Sequence, residues 1–205
     1  METIIGTIRA GGQKAGSAKG EPALLIGTTS NYAWLYSDVG SGAKMDVTIY
    51  RPSPISPGWS IIGDYAQGDY GNPSGTSLIV QAVNDPTNSL LASPVGYTEV
   101  WNDHGSGGDN DGSIWFPVPP EGYVTIGFVG QTGYNMPNIP NYVCVRQDLA
   151  TATTVGGLIW NDHGSGASGD VALYQNNGVS GAFVAQPNYN PPTINAFAPI
   201  GQSAK

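Results

Sequence analysis

Three stretches of this chain set acidic, hydroxyl and aromatic side chains in one frame: an aromatic, one residue, Asp, any residue, Gly-Ser-Gly, three residues, a second Asp, and an aromatic four positions on. The copies are Tyr36, Asp38, Gly40-Ser41-Gly42, Asp46 and Tyr50; Trp101, Asp103, Gly105-Ser106-Gly107, Asp111 and Trp115; and Trp160, Asp162, Gly164-Ser165-Gly166, Asp170 and Tyr174. Carboxylates, amides and a hydroxyl beside an aromatic plate suit sugars, whose hydroxyls need planar hydrogen-bonding partners and whose C–H faces need a ring. The candidate ligand-binding residues are therefore Asp38 and Asp46 in the first copy, Trp101, Asn102, Asp103, His104 and Asp111 in the second, and Trp160, Asn161, Asp162, His163 and Asp170 in the third. Such shallow sites are weak singly, and three on one body would act together through avidity.

Other chemistries draw on the same residues. Asp103, Asp109 and Asp111, with Asn110 among them, gather oxygen donors of the kind calcium takes, although the spacing and closing Glu of a calcium loop are absent. Apart from calcium no cofactor is expected. The order Asp103-His104-Gly105-Ser106 suggests a hydrolase, but residues this adjacent in a tight turn do not form a nucleophile, a base and its orienting group. The chain is read as non-enzymatic. Its only histidines, His104 and His163, share a frame position where the first copy has Val39, so the turn does not require imidazole. The frame is also a turn maker: Asp accepts hydrogen bonds from amides two residues on, the glycines adopt positive φ, and the second Asp holds the Ser hydroxyl or loop amides.

Holding these loops requires a repeated scaffold. Seven positions agree in all three copies without insertion, so the chain divides into units of roughly 60 residues centred on 36–63, 101–129 and 160–185, within a single all-β domain over 1–205. Short β-branched or aromatic runs bounded by Gly, Pro, Asn and Asp predict strands at Ile4 to Ile8, Ala23 to Ile26, Val47 to Tyr50, Ser77 to Val83, Ser113 to Phe116, Tyr123 to Val129, Asn141 to Val145, Gly157 to Trp160 and Val171 to Tyr174. Gly11 to Gly20 reads as a loop, Tyr65 to Pro73 as an exposed loop, and 188–205 as an extended strap docked by Phe197. In the first two units prolines follow the second aromatic and must sit at corners, because within a central strand they would remove a ladder hydrogen bond. Trp59 and Tyr123, just beyond those corners, are expected to be core plates.

Composition removes several classes of function. A net charge of −8 with seven basic residues argues against nucleic acid, which is bound by clustered Lys and Arg. Cys144 is the only cysteine, so no internal disulfide forms, and its apolar neighbours predict a buried hydrophobe. The N-terminus lacks the layout of a signal peptide, which predicts a cytoplasmic protein or one released by a non-classical route.

At the corners and loops the chain resembles the vacuolar protein sorting-associated protein 62 family. The likeness rests on Tyr50-Arg51-Pro52, Pro57-Gly58-Trp59-Ser60-Ile61-Ile62-Gly63-Asp64-Tyr65, Trp101-Asn102-Asp103-His104-Gly105-Ser106-Gly107, Trp115 to Gly127 and Cys144 to Leu149. It implies an all-β binding module and carries over no catalytic residue.

Three strand-rich units sharing a core predict a β-prism-like fold, with a β-trefoil or β-sandwich as alternatives. The expected function is a lectin-like protein whose partners are glycans or glycoconjugates. A membrane-acting, pore-forming toxin or its targeting component is an alternative, with a membrane surface as partner and Thr76 to Val83 and Thr151 to Trp160 as its amphipathic candidates. A trafficking adaptor taking a short peptide along a sheet edge is another, and self-association is compatible with each.

Overall fold

The computed structural model describes residues 20–204 and is all-β apart from one 3-10 turn at Gln147–Leu149. The strand expected at Ile4 to Ile8, and all but the last residue of the loop expected at Gly11 to Gly20, lie outside the described residues.

The first unit carries β1 (Ala23–Thr29), β2 (Tyr32–Ser37), β3 (Thr48–Pro52), β4 (Ser60–Ile61), β5 (Tyr65–Gln67) and β6 (Ser77–Val83). The second carries β7 (Leu91–Ala92), β8 (Gly96–Asn102), β9 (Gly112–Val118), β10 (Tyr123–Val124), β11 (Val129–Thr132) and β12 (Cys144–Arg146). The third carries β13 (Ala150–Thr153), β14 (Val155–Asn161), β15 (Ala172–Asn176), β16 (Phe183–Gln186) and β17 (Ala196–Pro199), and β18 (Gln202–Ser203) follows it.

Inside each unit three strands form one antiparallel sheet, in the orders β2-β3-β5, β8-β9-β11 and β14-β15-β16. The first and last strands of each unit pair with one another, β1 with β6, β7 with β12 and β13 with β17. The structural repeat is therefore wider than the frame, running from the strand before each hairpin to the strand after it.

Three similar sheets about one axis is the feature a prism-like form requires, and the units do meet along a common line. Gly63, Gly127 and Ala182 converge there, so that a Cβ on Gly127 would lie 3.0 Å from both Gly63 Cα and Ala182 Cβ. Backbone bonds cross between units at the same level: Gly127 N–H donates to Ile62 O at 2.8 Å, Asp64 N–H to Phe128 O at 3.0 Å, and Phe128 N–H to Phe183 O at 2.9 Å. Elsewhere on the axis the frame aromatics pack edge to face, Tyr36 on Trp101 and Trp101 on Trp160, with centroids 6.1 and 5.4 Å apart.

A bulge in the first hairpin of every unit explains why those rings point inward. The register slips between Trp34 and Tyr36, between Glu99 and Trp101, and between Leu158 and Trp160, each time just before the frame aromatic. An extra residue re-aims the side chain that follows it.

Several expectations are refined. Ser77–Val83 is a strand with those bounds. The single strand expected over Tyr123 to Val129 is two, β10 and β11, because Gly127 and Phe128 between them bond to other units. The loop expected at Tyr65 to Pro73 starts with β5, where Tyr65 is buried. The expected strap holds two strands: β17 pairs with β13, and β18 runs parallel along β1. Trp59 and Tyr123 are half-buried against Ile61, Trp115 and Tyr142. Cys144 is fully buried, and burial pushes its thiol up to about 11. Neither expected amphipathic hairpin is free: Thr76 to Val83 includes β6, held between β1 and β4, and Thr151 to Trp160 is divided between β13 and β14, ending on the fully buried Trp160. Among the described residues no helix is long and apolar enough to cross a membrane.

Candidate functional site

The first Asp of each frame faces inward. Asp38, Asp103 and Asp162 are 2%, 3% and 2% exposed. Each Oδ1 accepts the amide nine residues on, from Val47 at 2.9 Å, Gly112 at 3.1 Å and Val171 at 2.9 Å, and so ties the two ends of the loop together. This corrects the expected acceptance from an amide two residues on. The Ser hydroxyls take that role instead, Ser41 Oγ from Ala43 N–H, Ser106 Oγ from Gly108 N–H and Ser165 Oγ from Ala167 N–H. The flanking glycines do adopt positive φ, from Gly107 at 70° to Gly164 at 96°.

The second carboxylate oxygen reaches another unit. Asp38 Oδ2 accepts the Trp160 indole N–H at 2.9 Å, and Asp162 Oδ2 accepts that of Trp101 at 3.1 Å. Trp101 and Trp160, expected as sugar plates, are thus core residues, turned inward by the bulge and held there by these bonds. Burial raises the Asp38 carboxyl above its ordinary value, opposed by the Val47 amide, the Tyr70 hydroxyl and the Trp160 indole. Burial also raises the Tyr36 phenol, reinforced by the charges of Asp103, Asp38 and Asp162, which surround it.

The three loops bond to one another in a ring. Lys44 N–H donates to His163 O at 3.0 Å, Ser168 N–H to His104 O at 2.9 Å, and Asp109 N–H to Val39 O at 2.8 Å. Asn102 and Asn161 serve the turns, their Oδ1 atoms accepting the amides of His104 and His163.

What faces solvent is the second Asp, together with a tyrosine that the sequence analysis did not assign to the frame. Asp46, Asp111 and Asp170 are exposed. Tyr134 donates its hydroxyl to Asp111 Oδ1 at 3.0 Å, and Tyr189 donates to Asp162 Oδ1 at 2.7 Å. In all three units burial raises the phenol, followed by the carboxylates beside it: Asp38 and Asp46 for Tyr70, Asp103 and Asp111 for Tyr134, Asp162 and Asp170 for Tyr189. The hydroxyls therefore stay protonated donors. The rings remain 46%, 38% and 39% exposed for Tyr70, Tyr134 and Tyr189. His104 stands edge-on to Tyr134, His163 stacks on Tyr189 with centroids 5.5 Å apart, and the first unit has Val39 at that frame position.

A signal for these tyrosines was present. Gln67, Gln131 and Gln186 each precede one by three positions, but the step from the second Asp varies, from Asp46 to Tyr70, Asp111 to Tyr134 and Asp170 to Tyr189. Counting from the frame hides the match.

Each site thus combines a half-exposed phenol ring, an exposed carboxylate and, in two units, an imidazole. Of the expected calcium donors, Asp103 is buried on the Gly112 amide, Asp109 lies against Gly40 of the first loop, and Asp111 receives Tyr134. Among the described residues no three His, Cys, Asp or Glu side chains are grouped to hold a metal ion.

A protein of known structure, GNIP1Aa from Chromobacterium piscinae, is similar to this chain at 33% identity with a TM-score of 0.76. The likeness covers 89% of this chain but 38% of GNIP1Aa, so the chain spans well under half the length of that protein. No curated protein matches. The model of the family described as vacuolar protein sorting-associated protein 62 matches residues 18–186. The match takes in all three frames and their corners, and the chain belongs to the vacuolar protein sorting-associated protein 62 family.

Proposed function

We propose that this protein is a non-enzymatic, lectin-like module that binds carbohydrate at three related surface sites, each built on a tyrosine and the outer Asp of a frame. The observation that carries this reading is the triplicated pairing of Tyr70, Tyr134 and Tyr189 with acidic pairs at the ring of loops. A half-exposed aromatic face beside carboxylate acceptors suits a sugar ring, which offers C–H bonds on one face and hydroxyl donors at its edge. The buried inner Asp residues position the loops and do not touch ligand. His104 and His163 extend the aromatic surface in two sites.

The test is a glycan array with calorimetry on the hits. Asp170→Asn and Tyr189→Phe keep the fold, and each is expected to weaken binding about tenfold per site, the loss of one charge-assisted or hydroxyl contact of about 1.4 kcal/mol. A folded protein that captures no glycan would remove the reading. So would binding that ignores substitution of all three tyrosines.

A further inference from the structure

The boundaries between units are not filled alike. The residue after the second frame aromatic is Arg51, Phe116 or Gln175. Between the first and second units Arg51 donates to Gly130 O at 2.7 Å and pairs with the buried Asp64 at 2.9 Å. Between the second and third, Phe116 packs on Phe128 with centroids 5.2 Å apart, beside Ile194 and Phe197, which leaves a smaller cavity of about 280 Å³. Between the third and first, Gln175 makes no comparable closure. The corner that follows it is also short: eight residues lead from Tyr174 to the axis at Ala182, against thirteen from Tyr50 to Gly63 and twelve from Trp115 to Gly127.

The shortened corner leaves a cleft of about 740 Å³ between β5 of the first unit and β14 and the Asn176 to Ala182 turn of the third. No charged side chain lines it. Gln67, Gln175 and Asn177 line it together with Leu158, Ile159 and Tyr65. Gln67 is 8% exposed, and its Oε1 is the one buried side-chain polar atom without a hydrogen-bond partner among the described residues. The same atom of Gln186, its equivalent in the third unit, accepts the Thr193 amide.

We propose that this cleft is a binding site of a different kind from the loops, for a neutral polyhydroxylated ligand of one or two sugar rings. The volume lies in the range of small-molecule sites, and a largely polar but uncharged lining suits a ligand rich in hydroxyls. Amides donate and accept in one plane, as adjacent hydroxyls require, whereas a charged ligand would be desolvated here without a partner. The inference stands whether or not the loop sites bind.

Amide chemical-shift mapping with maltose, cellobiose, lactose and diacetylchitobiose tests it. At least one probe should shift Tyr65 to Gly68 and Gln175 to Ala182 saturably. Gln175→Phe, which places in the cleft the ring that closes the neighbouring boundary, and Leu158→Arg on the opposite wall should each weaken that binding at least tenfold. Asp170→Asn and Tyr189→Phe should leave it unchanged. The proposal is overturned if no probe moves these amides, if shifts appear only around Tyr70, Tyr134 and Tyr189, or if the cleft shifts survive both blocking variants.

Discussion

Trp160 shows how a residue chosen for its ring is used for its N–H. It donates to Asp38 Oδ2 and to Met45 O, so Trp160→Phe keeps most of the packing while leaving a buried carboxylate oxygen unpaired. The expected loss is about 2–3 kcal/mol, read from urea unfolding. Asp38 itself has a pH signature. Burial raises Asp38 and Asp64 above the ordinary carboxyl value of 3.8, so between that value and the raised ones the folded protein holds more protons than the unfolded chain. Their contribution to stability is full below the ordinary value and is lost as pH rises through the raised ones. Compared with Asp38→Asn, the natural protein should therefore lose unfolding free energy as pH rises above the ordinary carboxyl value of 3.8; parallel pH profiles would contradict the assignment. The roles of the two Asp residues of a frame were not legible in the sequence. Both are acidic residues in a Gly-rich loop, and in the first and third frames the buried one is held by an indole about 120 or 60 positions away.

At the scale of elements, the repeat itself and most strands were legible, because seven matched positions and alternating apolar runs are local signals. The bulges were not, since a register slip is a property of a strand pair rather than of either strand. Gly112 illustrates the consequence. Its counterparts, nine residues after the first Asp, are Val47 and Val171, and repeat averaging would place Val there too. Yet a Cβ on Gly112 would run into the Tyr36 ring. Gly112→Val is predicted to destabilise by about 1–3 kcal/mol through overpacking, and thermal unfolding would check it. The substitution that makes the repeats more alike should make the protein worse. β5 was hidden for a related reason, because Tyr65–Gln67 is a short strand read as part of a polar loop.

Across the whole molecule, the exposed faces of three loops and a filled centre come from the same chain segments. The loops exchange backbone bonds in a ring, and the final strand, β18, lies along the first. A linear array of repeats can gain or lose members, because each copy touches only its neighbours and the ends are capped. Here there are no end copies. Removing residues 150–199 would leave Asp38 without its indole, Lys44 without the His163 carbonyl and Gly63 and Gly127 without Ala182. The deletion is expected to give an unfolded chain by circular dichroism, not a smaller folded one. The number three is thus closed by geometry: gene duplication could have produced this architecture, but further duplication or loss of a single copy would have no intermediate that folds.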